Sequence, residues 1–330
     1  MRVLVADKFE KSGLEGIKAL GVELVSLPDA GAAGIPAAIQ EHKPDVLVVR
    51  STKVPAGTIA KASWAGGGVK LIIRAGAGVD NIDTAAATAA KIHVCNCPGM
   101  NSVAVAELTM GLLLACDRRI AEQTADSRGG KWNKKEYSKS RGLKGMTLGV
   151  VGCGAIGMSV IKRAIAFEMR VLAWSRSITP EMARQLGAEF GGRDTPSLHD
   201  MAARCDAVTI HLPLAPDTKG LIGANFFERM KPGSYFINTS RGDVVDEASL
   251  RAAISAKGLR AGLDVYANAP AATEGTWENE TVKLPGVVST HHIGASTNQA
   301  QEAVAAETVR IIDVFARTGR TENCVNFRED

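Results

Sequence analysis

Short runs of valine, isoleucine and leucine recur along this chain, each set off by polar or glycine-containing stretches. They fall at 3–6, 23–27, 46–50, 71–74 and 92–95, then again at 147–151, 170–174, 207–211, 235–238, 259–265 and 287–290. Most are continuous rather than alternating, the pattern of strands covered on both faces. Helical or Gly/Ala-rich segments separate them. Strands and helices in alternation predict an α/β fold with two doubly wound parallel sheets, the first set being the smaller and serving a substrate.

Between the two sets, 101–120 is apolar nearly all round, with Val103, Val105, Leu108, Met110, Leu112, Leu113 and Leu114. A helix without a polar face is buried, in a core or against a second subunit. Asn101 or Ser102 is its expected N-cap, after the break at Pro98-Gly99. A last helix is expected over 298–317, beyond the final strand.

The strand at 148–151 runs straight into Gly152-Cys-Gly154-Ala155-Ile156-Gly157. A G-x-G-x-x-G between strand and helix places a pyrophosphate on backbone N–H groups. Gly152 permits the tight turn, Gly154 the approach of the phosphate and Gly157 the close packing of helix on strand. The next strand ends at Trp174, so position 175 faces the adenosine ribose. An acid there accepts from a 2′-hydroxyl, whereas this chain has Ser175 followed by Arg176, which favours a 2′-phosphate. The expected cofactor is NADP, with NAD the alternative.

Three further stretches carry candidate chemistry. Arg241 follows the strand at 235–238, at the carboxyl end where open α/β sheets bind ligands, and a guanidinium there can grip a carboxylate bidentately. His291 and His292 follow the strand at 287–290; either imidazole could pass a proton to a carbonyl oxygen, and spacing does not choose between them. Arg74-Ala-Gly-Ala-Gly-Val-Asp80-Asn81 is a glycine-rich turn whose backbone donors suit an anion, although an ordinary strand-to-helix turn looks the same.

The 330 residues suffice for about two domains, each with its own core. A net charge of +4 gives no warrant for nucleic acid. No run approaches the roughly 20 apolar residues of a membrane span, and the start turns polar too early for a secretory leader. Cys95, Cys97, Cys116, Cys153, Cys205 and Cys324 have no metal-ligand spacing and read as reduced packing residues in a cytoplasmic protein.

Taken together, Arg74–Asp83, Asn96–Ser102, Ala104–Leu108, Gly152–Gly157, His211–Pro213, Asn238–Glu247, Gly262–Val265 and His292–Thr297 resemble the D-isomer-specific 2-hydroxyacid dehydrogenase family over essentially the whole chain. The likeness is strongest to its phosphoglycerate-oxidising branch, through 49–54 and 130–135. The resemblance implies a Rossmann cofactor domain at 101–292 inserted into a flavodoxin-like substrate domain of 1–100 plus 293–330. It implies hydride transfer between NAD(P) and a D-2-hydroxy acid, 3-phosphoglycerate in the leading reading. An NADPH-dependent glyoxylate or hydroxypyruvate reductase and a low-turnover dinucleotide-binding regulator are the alternatives.

By the same resemblance Arg241 anchors carboxylate and keto oxygen, and His292 rather than His291 is the acid/base. Ala77, Ala155, Ile156, Ser175, Arg176, Leu212, Thr239, Ser240 and Asp264 line the cofactor with the three glycines. Arg50, Arg74, Ala75, Gly76, Lys134 and Lys135 join Arg241 around the substrate. A homodimer is expected, in a short form without a regulatory C-terminal domain, and no metal. Two positions depart from the family pattern. Ala155 stands where an arginine is common, and Ala269 where a glutamate before a proline orients the imidazole and holds its pKa up. Glu274, Glu278 and Glu280 are the acids near enough in sequence to substitute.

Overall fold

The computed structural model describes residues 1–65, 67–270 and 274–327, which divide into two compact units, Met1–Asn101 with Ser296–Asp330, and Ser102–Ala295. In the first unit the strands are β1 (Arg2–Val5), β2 (Glu23–Ser26), β3 (Val46–Val49), the small hairpin β4 (Ser63–Trp64) and β5 (Gly67–Gly68), β6 (Leu71–Arg74) and β7 (His93–Asn96). The main sheet is parallel throughout, in the order β2-β1-β3-β6-β7. Leaving the hairpin aside, that is the flavodoxin order, with its reversal between β1 and β3.

Alternate residues of these strands feed two cores. Leu4, Leu47, Val49 and Ile72 pack on Ile35 and Ile39, while Val3, Val5, Val48 and Ile73 pack on Ile17, Ile311 and Ile312. The last two belong to the helix Asn298–Thr318, which lies against the helix Lys11–Ala19.

The second unit holds β8 (Thr147–Val151), β9 (Arg170–Trp174), β10 (Glu189–Gly192), β11 (Ala207–Ile210), β12 (Tyr235–Asn238), β13 (Arg260–Leu263) and β14 (Val287–Ser289). They form one parallel sheet in the order β10-β9-β8-β11-β12-β13-β14, the doubly wound nucleotide-binding arrangement with its reversal between β8 and β11. Both faces are apolar. Phe226, Phe227 and Phe236 fill one layer, and Leu148, Val150, Ile161 and Ile237 the other.

Two details differ from expectation. The helix expected over 101–120 runs from Ser102 to Arg118, because Arg119 takes the left-handed conformation at φ 53° and a second helix, Ile120–Arg128, starts there. Strand β10, Glu-Phe-Gly-Gly, has no apolar run to announce it; it is an edge strand, and its register slips between Phe190 and Gly192. Among the described residues no helix is long and apolar enough to cross a membrane.

Candidate active site

The reversal between β8 and β11 is where an open α/β sheet leaves a crevice at its carboxyl ends. Gly152 sits there at φ 95°, and a Cβ on it would lie 2.4 Å from the His211 carbonyl oxygen. A Cβ on Gly157 would come within 1.9 Å of the Gly152 carbonyl oxygen, so the helix Ala155–Ala166 can lie on the strand only with glycine there. Gly154, the N-cap, is different: nothing lies within 4 Å of its missing side chain.

The helix therefore opens onto free space with its first N–H groups, those of Ala155, Ile156 and Gly157 among them, lacking intrahelical acceptors. Those donors and the helix dipole fit an anionic phosphate. Leu212 covers the turn beside Gly152. The His211 imidazole stays neutral: burial pushes its pKa down to about 3, and Nε2 lies 3.0 Å from the Thr209 hydroxyl.

At the end of β9, Ser175 and Ser177 share a hydroxyl contact of 3.2 Å, and the Arg176 guanidinium donates to the Asp217 carboxylate. Asp217 comes from the loop after β11 and is held below the usual carboxylate range by that arginine. The cation expected to meet a 2′-phosphate thus already faces an anion of this chain. The local sequence around Arg176 gives no hint of that partner, 41 residues away.

The carboxyl ends of β12, β13 and β14, neighbours in the sheet, carry the second group. After β12, Asn238 Oδ1 accepts from the Ser240 N–H and hydroxyl at 3.0 and 2.8 Å, while its amide donates to the Arg241 carbonyl. Thr239 and Thr109 share a hydroxyl contact of 2.9 Å. This turn fixes the backbone of Arg241, whose Nη1 donates to the Ser240 carbonyl at 2.7 Å. At the next residue a Cβ on Gly242 would lie 2.0 Å from the Tyr266 carbonyl carbon, so the turns after β12 and β13 touch backbone to backbone.

Asp264 follows β13 and is 1% exposed. Its Oδ1 accepts from the Thr290 hydroxyl at 2.6 Å and the Ile293 N–H at 2.9 Å, and its Oδ2 from the Gly294 N–H at 2.9 Å. Its main-chain oxygen accepts the His292 N–H at 2.9 Å. His292 is exposed and left-handed at φ 54°, a conformation rare outside glycine that needs its surroundings to hold it. His291 is exposed too, but none of these bonds involves it.

In the first unit, Asp7 at the end of β1 organises the turn after β3. Its Oδ2 accepts the N–H groups of Arg50, Ser51 and Thr52, and its Oδ1 the Thr52 hydroxyl. Arg50 lies 3.6 Å from the Glu10 carboxylate. After β6, Arg74 folds over Gly76: a Cβ there would sit 1.6 Å from its Nη1, and φ is 149°. Ala75 is buried and donates to the Val49 carbonyl. The Asn96 amide donates to the Ala77 carbonyl, and the Asn81 amide to the Thr52 carbonyl, so the turns after β3, β6 and β7 are tied into one surface. Asp7 lies outside every motif of the sequence, its only signal a position near a strand end, whereas Asn81 and Asn96 fall inside the stretches 74–83 and 96–102 with no role assigned to them there.

Lys134 and Lys135 stand on a short exposed helix, Lys134–Tyr137, attached through Glu136 to Arg119 and through Tyr137 to Asp126. These contacts place them beside Arg119 and the helix Ile120–Arg128. Ala269 is exposed in the turn after Tyr266. Of the acids that could replace the missing glutamate, Glu278 and Glu280 both accept from Lys283, and Glu274 is exposed. Glu247, outside that group, is the carboxylate the turn does bind: it accepts from the Ala267 N–H, the Asn279 amide and the Thr281 hydroxyl.

Comparison with known proteins places this geometry. Residues 110–294 match the family model for the NAD-binding domain of D-isomer-specific 2-hydroxyacid dehydrogenases. The chain is 40% identical over 284 residues to a D-3-phosphoglycerate dehydrogenase of Methanocaldococcus jannaschii, covering 86% of this chain and 52% of that protein. It is 42% identical over 270 residues to a hydroxypyruvate reductase of Thermotoga maritima, covering 81% of this chain and 83% of that one. The crystal structure of an NAD+-bound 3-phosphoglycerate dehydrogenase from Entamoeba histolytica superimposes with a TM-score of 0.80 at 27% identity, covering 99% of both chains. The chain spans about half the length of the archaeal phosphoglycerate dehydrogenases it matches, 52% and 59%.

Proposed function

Because this chain belongs to the D-isomer-specific 2-hydroxyacid dehydrogenases, we propose that it moves a hydride between NAD(P) and a D-2-hydroxy acid, with 3-phosphoglycerate and 3-phosphohydroxypyruvate as its substrate pair. The observation that carries the reading is the placing of Arg241, Asp264 and His292 at the carboxyl ends of three adjacent strands. The helix beginning after Gly154, with Leu212, Thr239 and Ser240, holds the dinucleotide, which supplies or accepts the hydride at the substrate's C2.

In the reductive direction the Arg241 guanidinium grips the carboxylate and polarises the keto oxygen. His292, as imidazolium, gives that oxygen its proton as the alkoxide forms, and takes it back in the reverse direction. Asp264 keeps the imidazole's backbone in place through the four bonds described above. In the first unit, Arg50 and Arg74 are the proposed holders of the substrate's anionic end. Exposed Ile120 and Trp132 are the apolar side chains we assign to a homodimer contact.

A hydroxypyruvate or glyoxylate reductase is the second reading, favoured by the Thermotoga relative and by Ser175-Arg176. Steady-state rates with 3-phosphohydroxypyruvate, hydroxypyruvate and glyoxylate, each with NADH and NADPH, separate the two. A kcat/KM at least tenfold higher for the phosphorylated substrate supports the first; equal or better use of glyoxylate overturns it. Tight dinucleotide binding with no turnover on any 2-keto acid would instead mark a regulatory protein, the outcome that the methyl group at Ala269 keeps in view.

A further inference from the structure

After the helix Asn298–Thr318 the chain returns to the edge of the first sheet and pairs with β7. The Val325 N–H donates to the Val94 carbonyl at 2.8 Å and the Asn96 N–H to the Asn323 carbonyl at 3.3 Å, which sets Cys95 directly opposite Cys324 in an antiparallel bridge. Asn326 locks the register, accepting the Val94 N–H and donating to the Ile92 carbonyl.

Because the hydrogen bonds flank them, Cys95 and Cys324 are a non-hydrogen-bonded pair. Their Cα atoms are then about 4.5 Å apart with both side chains on one face, within the range a disulfide spans. The two thiols differ in character. Cys95 is fully buried, and burial together with the nearby Cys324 thiol raises its pKa far above the ordinary thiol range. Cys324 is partly exposed, its Sγ 3.6 Å from Nδ1 of His93 and 3.3 Å from the Asn326 amide oxygen.

We propose that Cys324 and Cys95 form a peroxide-reactive dithiol, with Cys324 as the attacking and Cys95 as the resolving sulfur. Cys324, its proton drawn by His93, attacks one oxygen of hydrogen peroxide. The O–O bond breaks, an S–O bond forms, and the departing hydroxide takes the proton from His93 and leaves as water. Cys95 then attacks the sulfenic sulfur; the S–S bond forms, the S–O bond breaks, and the second hydroxide leaves with the Cys95 proton as water. Two thiols are oxidised, one peroxide is reduced to two waters, and a thiol reductant reverses the change. This chemistry is independent of the dehydrogenase reading.

The test is peptide mapping of the whole native chain by mass spectrometry, without reduction, after graded hydrogen peroxide. The expected product is a Cys95–Cys324 cross-linked peptide that dithiothreitol dissolves and that Cys324→Ser abolishes. In Cys95→Ala, Cys324 should instead accumulate as sulfinic acid. His93→Phe should slow the first step roughly tenfold at neutral pH, since it removes the imidazole beside the attacking sulfur. Overoxidised Cys324 beside an intact Cys95 thiol in the unmutated chain would overturn the proposal. So would a Cys97–Cys324 link, or a Cys324 no faster than the other cysteines.

Discussion

The Asp264 side chain holds the loop that carries His292. Its two carboxylate oxygens take one hydroxyl and two backbone N–H groups from residues 290, 293 and 294, and its main-chain oxygen takes the N–H of His292 itself. An acid at the end of one strand thereby shapes the turn after the next and keeps a histidine in a left-handed conformation. Asn at 264 keeps the volume but offers a single acceptor oxygen where two oxygens now serve three donors. Asp264→Asn should destabilise the second unit by about 2 kcal/mol, the scale of buried bonds to a charged acceptor. It should also lower kcat roughly a hundredfold through displacement of the imidazole. A melting curve with steady-state rates checks both; unchanged kcat with lowered stability would reduce Asp264 to a packing residue.

Restoring the acid at position 269 tests what its absence does. A carboxylate beside His292 favours the imidazolium and fixes the ring. In Ala269→Glu the basic limb of the kcat/KM profile for keto-acid reduction should move to higher pH, and kcat should rise by up to roughly tenfold. An unchanged profile would show that the turn already supplies what the glutamate would.

The contact between Arg176 and Asp217 makes the cofactor preference testable. A 2′-phosphate must compete with the Asp217 carboxylate for the same guanidinium. Asp217→Asn should therefore lower KM for NADPH several-fold and leave NADH nearly unaffected, while Arg176→Ala should weaken NADPH alone. Both are surface residues, so neither substitution should alter the melting temperature by more than a degree or two. Equal effects on the two cofactors would place the ribose elsewhere.

The glycine turn separates stability from binding. Gly157→Ala drives a methyl into the Gly152 carbonyl and should destabilise the fold strongly, whereas Gly154→Ala meets open space and should fold normally. The second variant should nevertheless lose dinucleotide affinity by tenfold or more, since the methyl enters the space proposed for the phosphate. Calorimetric titration with NADH and NADPH measures it; full affinity in Gly154→Ala would contradict the phosphate position.

How far the sequence speaks follows from how local each determinant is. Continuous apolar runs announce strands buried on both faces, so the α/β class is legible from Val46–Val49 or Ala207–Ile210 without any partner. The glycines of 152–157 are legible for the same reason, since each answers a constraint within a few residues. Strand β10 escapes notice because its glycines are chosen for close approach: a Cβ on Gly191 would sit 3.0 Å from the Ala173 carbonyl oxygen. The left-handed break at Arg119 interrupts a helix whose side chains continue to suit one. Asp7, Asp264 and Asp217 act on backbone or side chains 26 to 45 residues away, and Cys95 meets Cys324 only through the sheet. Nothing in the local spacing encodes such pairings.

Proton transfer by His292 is tested most directly by His292→Asn assayed on 3-phosphohydroxypyruvate, with hydroxypyruvate and glyoxylate alongside. Asparagine tolerates the left-handed backbone, so the loop should survive the change. The expected result is a kcat lowered by roughly a hundred- to ten-thousand-fold, with cofactor affinity and melting temperature close to those of the unmutated chain. A variant that turns over as fast as the original would contradict the assignment.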